Sequence, residues 1–187
     1  ISAIYKEHAE TIKSHPASMK LHHAWLGGYL EHILSMTKLG VHLAKHYEVD
    51  QDLLLTGILL HDIGKIKELN PAAQPGYTDG GKLLGHIIMG RDIARDAMSR
   101  LKDFPEDLQL KVEHMILSHQ GKYEWQSPKQ PKFKEALLLH YIDEVDARMN
   151  MMDDAMEKDG ESGSWTNRFN YFRIPLLKGD LDLKEEA

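Results

Sequence analysis

The chain has 187 residues, 42% of them hydrophobic, which suits one globular domain with a sizeable core, or one domain with a tail. It has no cysteine, which excludes disulfides and thiolate metal sites, and its formal net charge of −6 argues against a general nucleic-acid glue while leaving room for a local basic channel. No apolar run of about 18 residues occurs, so neither a membrane span nor a signal peptide is expected.

Helical periodicity dominates the chain. Residues 1–14 read as a short first helix, broken by His15-Pro16-Ala17-Ser18. His22 and His23 follow, either as helix-start hydrogen-bonding groups or as neighbours of a substrate. A long helix is predicted over 23–47, with Trp25, Tyr29, His32, Met36, Leu39 and Leu43 on one face at steps of three and four. Asp50 can cap the next helix, predicted over 51–67. Asn70 to Gly81 is rich in Pro and Gly and reads as a loop, followed by helices over 81–101 and 105–118. The polar stretch 120–132 is a second loop, and 132–156 a long final helix. Residues 157–165 read as flexible by composition, and the tail beyond has an apolar start and a charged end. No strand series or internal repeat is apparent, so the expected class is all-α.

With thiolates excluded, any metal must be held by His, Asp or Glu, and the chain has 12 His. In "LLLTGILLHDIGKIKEL", Asp62 falls in step with Leu55, Leu59, Ile66 and Leu69, so a carboxylate points where the apolar side chains point. Burying it uncompensated costs several kcal/mol. His32, His86, His119 and Asp143 sit on the apolar faces of other predicted helices in the same way. With His61 and Asp62 they make an inward-facing set of four His and two Asp. Such nitrogen and oxygen ligands suit Mn, Fe, Co, Ni, Zn or Mg. Six groups exceed the needs of one catalytic ion and suit two ions about 3.5–4 Å apart, the arrangement used for attack on phosphate esters. Adjacent His61 and Asp62 diverge by about 100° on a helix, so one can hold a terminal position while the other bridges. Any one of these histidines, taken alone, reads as a hydrogen-bonded core residue; the combination does not.

"LEH" at His32, "HDIGK" at 61–65 and "LLHYIDEVDARM" around Asp143 resemble the HD-domain metallophosphohydrolases in order and spacing. "LHHAWLGGYLEHILSM", "GKLLGHIIMG" and "EHMILSHQGKYEWQSPKQP" make the chain similar to the HD domain of the YhaM family of 3′→5′ exoribonucleases, from about residue 20 to about 175. The resemblance implies a helical HD bundle over 21–157 with the metal site at its centre. It makes 1–20 an N-terminal helix or linker remnant and 158–187 a flexible loop and tail. That family has an oligonucleotide-binding OB-fold ahead of the HD domain; nothing before residue 20 can form one. Where the family often has two histidines, this chain has His119-Gln120, and the GYP signature of cyclic-di-GMP phosphodiesterases is absent.

By this resemblance His32, His61, Asp62 and Asp143 hold a first ion, and Asp62 bridges to a second held by His86 and His119. One or two divalent ions are expected, with Mn the family-based choice, and metal-activated water as nucleophile. His114 is read as a ligand, a proton donor to the leaving oxygen, a neighbour of the ligands, or a packed histidine; it sits about 140° around the helix from His119. Lys65 can hold a phosphate oxygen or stabilise developing charge. Arg148 can bind phosphate bidentately or pair with Glu144 one turn earlier. Lys82 and Lys122 are candidate backbone contacts, and Tyr123 and Trp125 either stack on a base or pack their loop down. Met149, Met151 and Met152 read as core or interface filler. The expected function is a cytoplasmic exoribonuclease acting on single-stranded RNA or DNA. A nucleotidase or cyclic (di)nucleotide phosphodiesterase and a non-catalytic nucleic-acid-binding module are the alternatives. Phe172 and Leu176 are candidate contacts of a homo-oligomer.

Overall fold

The computed structural model describes residues 1–18, 25–70 and 76–180; His22 and His23 lie outside them. Its helices are α1 (Ser2–Glu7), α2 (Ala9–Ser14), α3 (Gly28–Tyr47), α4 (Gln51–Leu60), α5 (Lys65–Glu68), α6 (Asp79–Ser99), α7 (Glu106–Ser118) and α8 (Lys134–Glu157). The one hairpin among the described residues pairs β1 (Leu69–Asn70) with β2 (Gly76–Tyr77), Leu69 opposite Tyr77. The class is therefore all-α, as the periodicity predicts.

Helix α3 packs on α4 and α8, α4 on α7 and α8, and α5 and α7 on α6. Tyr29, Met36, Leu54, Ile58, Ile63, Met115, Ile116, Leu139 and Ile142 are fully buried between them. Full burial of such side chains contributes about 1.5–3 kcal/mol each. No helix among the described residues is long and apolar enough to cross a membrane.

Several boundaries differ from the sequence pattern. The first helix is two helices, interrupted at His8, whose φ of −110° and ψ of 17° leave helical geometry. Helix α3 starts only at Gly28, so Trp25 lies ahead of it. It is 42% exposed and donates its indole N–H to Glu31 Oε2 at 2.9 Å instead of joining the core stripe. Asp50 does cap α4, accepting from Leu53 N at 3.0 Å.

The predicted helix over 51–67 is broken. Helix α4 ends at Leu60, and the chain tightens into i→i+3 bonds, Ile63 N to Leu60 O at 3.2 Å and Lys65 N to Asp62 O at 2.9 Å. Gly64 is what allows this turn to press on α6. A Cβ there would stand 1.9 Å from His86 O and 2.5 Å from Gly90 N.

Thr78 caps α6 by accepting from Gly81 N at 2.9 Å, so that helix begins within the stretch read as a loop. It is interrupted at Gly85, with φ of 73° and ψ of 159°. The segment after α8 is also more structured than its composition suggests. Thr166 N donates to Leu176 O and Lys178 N to Ser164 O, each at 2.8 Å, around a Trp165–Leu177 bridge. This strap buries Leu176 within the chain, which removes it as a candidate oligomer contact. Met151 is buried, whereas Met149 is 57% exposed.

Candidate metal centre

Four helices and one turn deliver the inward polar groups to a single place. His32 comes from α3, His61 and Asp62 from the turn after α4, His86 from α6, His119 from the end of α7 and Asp143 from α8. His32, His61, Asp62 and His119 are essentially inaccessible to solvent.

The candidate ligand atoms fall into two groups, His32–His61–Asp143 and Asp62–His86–His119, each with its atoms within 4.8 Å of one another. Asp62 faces both. Its Oδ2 lies 3.3 Å from His61 Nε2, while its Oδ1 lies 3.4 Å from His86 Nε2 and 3.6 Å from His119 Nε2. Asp143 Oδ1 lies 3.3 Å from His32 Nε2 and 3.9 Å from His61 Nε2. Two ligands each about 2.0–2.2 Å from a shared ion stand roughly 3–3.6 Å apart, so these spacings suit coordination. The neighbours His61 and Asp62 converge because the tightened turn replaces the regular helix on which they would diverge.

All four imidazoles are held by Nδ1. His61 donates to Ile58 O and His119 to Ile116 O, both at 2.8 Å. His32 donates to Asp146 Oδ2 at 2.7 Å and His86 to Glu68 Oε1 at 3.1 Å. Carbonyls and carboxylates only accept, so Nδ1 carries the hydrogen and the neutral ring keeps its lone pair on Nε2, toward the centre. The break at Gly85 frees His86 N to donate to the same Glu68 oxygen at 2.9 Å, which clamps His86 twice. His140 Nδ1 donates to His119 O at 2.9 Å and braces the end of α7.

These residues fit divalent cations. His61 Nε2, His86 Nε2 and Asp62 Oδ1 are buried without a hydrogen bond, and a buried carboxylate oxygen so placed is costly unless a cation compensates it. Burial alone would raise the pKa of Asp62, but Lys65 and His61 hold it well below the usual carboxylate range. Burial, helped by His61, pushes His119 down to about 4, so its ring is neutral at physiological pH. Burial also opposes charge on His32, but Asp143 and Asp146 outweigh it and raise that ring to about 9. A cation on Nε2 would take the place of that proton.

Lys65 is buried with Nζ 2.5 Å from Asp62 Oδ2; burial disfavours its charge, and Asp62 more than offsets this, so its pKa is raised. It lines a cleft of about 760 Å³ with Asp62, Asp143, Lys82 and Arg148. Lys82 is exposed there, 3.3 Å from Asp79. Arg148 is hydrogen-bonded to Glu144, which lines the same cleft.

Lys122 is not part of that lining; its ammonium sits 4.1 Å over the Trp125 ring. His114 is a correction: it does not join the cluster. Its Nε2 accepts from Lys132 N at 3.1 Å and its ring packs on Phe133, centroids 5.3 Å apart, because five residues before His119 it projects from another side of α7. The braces Asp146, Glu68 and His140 are absent from the sequence-based candidates. Asp146, one turn after Asp143, has a detectable signal in its i,i+3 spacing.

The HD domain family model matches residues 29–148. The chain is 45% identical over 167 residues to the 3'-5' exoribonuclease YhaM of Bacillus subtilis (strain 168), covering 88% of this chain and 52% of that protein. It is 46% identical over 157 residues to the protein of the same name from Shouchella clausii (strain KSM-K16), covering 83% and 49%. For that of Oceanobacillus iheyensis the identity is 45% over 170 residues, covering 90% and 53%. The chain thus spans about half the length of these curated relatives. No solved structure matches it.

Proposed function

Because this chain belongs to the HD domain family, we propose that it is a metal-dependent phosphodiesterase that shortens single-stranded RNA from its 3′ end. The observation that carries the hydrolytic part is Asp62, whose two oxygens face two separate groups of candidate ligands at the floor of a cleft. The RNA part is supported by the likeness to relatives named 3'-5' exoribonuclease.

In this reading His32, His61 and Asp143 would hold one ion and His86 and His119 another, with Asp62 within reach of both. When bound, divalent ions make water acidic enough to attack at neutral pH and offset phosphate charge. Mn is the proposed ion; Fe, Co, Ni, Zn and Mg suit the same ligand atoms.

The protein's own groups do the rest. Asp146, Glu68, Ile58 and Ile116 orient the four imidazoles from outside. Lys65, kept charged by Asp62, places an ammonium at the cleft floor for a phosphate oxygen. Lys82 and Arg148 line the cleft as contacts for flanking phosphates, with Glu144 released from Arg148 as phosphate binds. An RNA substrate goes with a cytoplasmic site of action.

Incubation with Mn²⁺ and a 5′-labelled oligoribonucleotide, beside cyclic dinucleotides and 5′-nucleotides, tests this directly. A ladder shortening from the 3′ end is expected. Hydrolysis of the small substrates alone would replace the assignment with a nucleotidase or cyclic-dinucleotide phosphodiesterase. Metal-loaded protein that binds single strands and cleaves nothing would make it a binding module.

A further inference from the structure

Two tyrosines from separate elements line the cleft that contains Asp62, Lys65 and Asp143. Tyr77 comes from β2 and Tyr171 from the strap that follows α8; they are 51% and 52% exposed. The other aromatic residue of that lining, Trp125, is already engaged. Lys122 covers its ring at 4.1 Å, and the His140 ring stands 6.2 Å away, centroid to centroid.

Tyr171 is held in place, not loosely tethered. Its neighbour Asn170 donates from Nδ2 to Asn167 O at 2.9 Å and to Ile174 O at 2.8 Å, and Asn170 Oδ1 accepts from Phe172 N at 2.9 Å. The Phe172 and Tyr171 rings stand perpendicular, centroids 5.6 Å apart, and Tyr171 stays half-exposed along the cleft. A half-exposed aromatic ring is ready to stack, and an ordered one loses little side-chain entropy when it does so.

An exposed aromatic face beside cationic side chains and a phosphate-directed centre matches one chemistry: a planar base attached to an anionic backbone. Bases in a duplex are stacked on each other and do not present a face, whereas unpaired bases do. We propose that Tyr171 is a base-stacking residue of the cleft, with Tyr77 as a second platform, so that this site takes single strands through their bases as well as their phosphates. The inference rests on the phosphodiesterase reading above and adds to it a specificity residue from a segment outside the helical bundle.

Fluorescence anisotropy in Mn²⁺, with a phosphorothioate hexaribonucleotide and its abasic counterpart, tests the proposal without turnover. The wild-type protein is expected to bind the base-bearing strand more tightly than the abasic one. Tyr171→Ala should weaken the base-bearing strand about tenfold, the scale of one stacked base, and leave the abasic strand unchanged. Tyr171→Phe should bind as wild type, and Tyr171→Leu, which keeps apolar bulk without a ring, should not.

Equal affinity for the two strands in the wild type, or full affinity in Tyr171→Leu, would overturn the stacking role. Base-dependent binding with no cleavage of the unmodified strand would keep it and remove the phosphodiesterase reading. Cleavage without base dependence would do the reverse.

Discussion

Oδ2 of Asp146 lies 2.7 Å from Nδ1 of His32 and fixes that ring from the side away from the other ligands. The same helix supplies Asp143, one turn earlier, on the Nε2 side of the ring. Helix α8 therefore provides a candidate ligand and a brace at i and i+3, with the imidazole of α3 held between them.

Asp146→Ala should weaken divalent-cation binding about 10–100-fold, the usual scale for loss of an outer carboxylate. Asp146→Asn keeps an acceptor oxygen and should lose less. Titration calorimetry with Mn²⁺ measures both. Wild-type affinity in Asp146→Ala would show that α3 packing alone orients His32.

Gly64 is where the turn carrying His61 and Asp62 meets α6. Because an added Cβ would fall 1.9 Å from His86 O and 2.5 Å from Gly90 N, the obstruction is backbone and cannot rotate away. Gly64→Ala should destabilise the fold by about 3 kcal/mol, the upper range for overpacking, and displace His86. Urea unfolding and metal content of the same sample measure the two effects; a variant unchanged in both would contradict the close approach.

Lys65→Met keeps the apolar stem and removes the ammonium. If Lys65 holds phosphate charge, kcat for phosphodiester cleavage should fall about 100-fold with metal content unchanged. Loss of metal together with activity would instead make Lys65 a support for Asp62, which it contacts at 2.5 Å.

A different carboxylate sets a pH dependence away from the site. Buried Glu113 on α7 accepts from Arg95 at 2.8 and 2.7 Å and from Gln109 at 2.8 Å. Burial alone would raise its pKa; Arg95 and Gln109 outweigh burial and lower it. A lowered folded-state pKa stabilises the protein above the unfolded value of about 4.3, and that stability is lost as pH falls through the folded-state pKa. Glu113→Gln should therefore lower the urea midpoint by a constant amount above about pH 5, a gap that narrows in more acid solution. A gap that widens toward acid would reverse the assignment.

All six candidate ligands were legible because each puts an imidazole or carboxylate on an otherwise apolar helical face. The break at 61–64 was not, since the apolar periodicity runs on through Ile66 and Leu69 while i→i+3 bonds tighten the backbone. Glu68 was hidden for a related reason: its role depends on the break at Gly85, which turns His86 N toward it. His114 misled because its five-residue spacing from His119 fits several roles, and only packing on Phe133 selects one. Composition marks 157–165 as flexible and the tail after it only as apolar, then charged; the order of the strap comes from specific bonds, such as those of Asn170, that composition does not encode.

Two ions sharing Asp62 is the arrangement on which the proposed hydrolysis depends. Anomalous diffraction at the manganese edge, from crystals grown with Mn²⁺, tests it most directly. Two peaks are predicted, one in ligand contact with His32, His61 and Asp143, the other with His86 and His119, and both touching Asp62. A single peak, or a second one that does not touch Asp62, would contradict it.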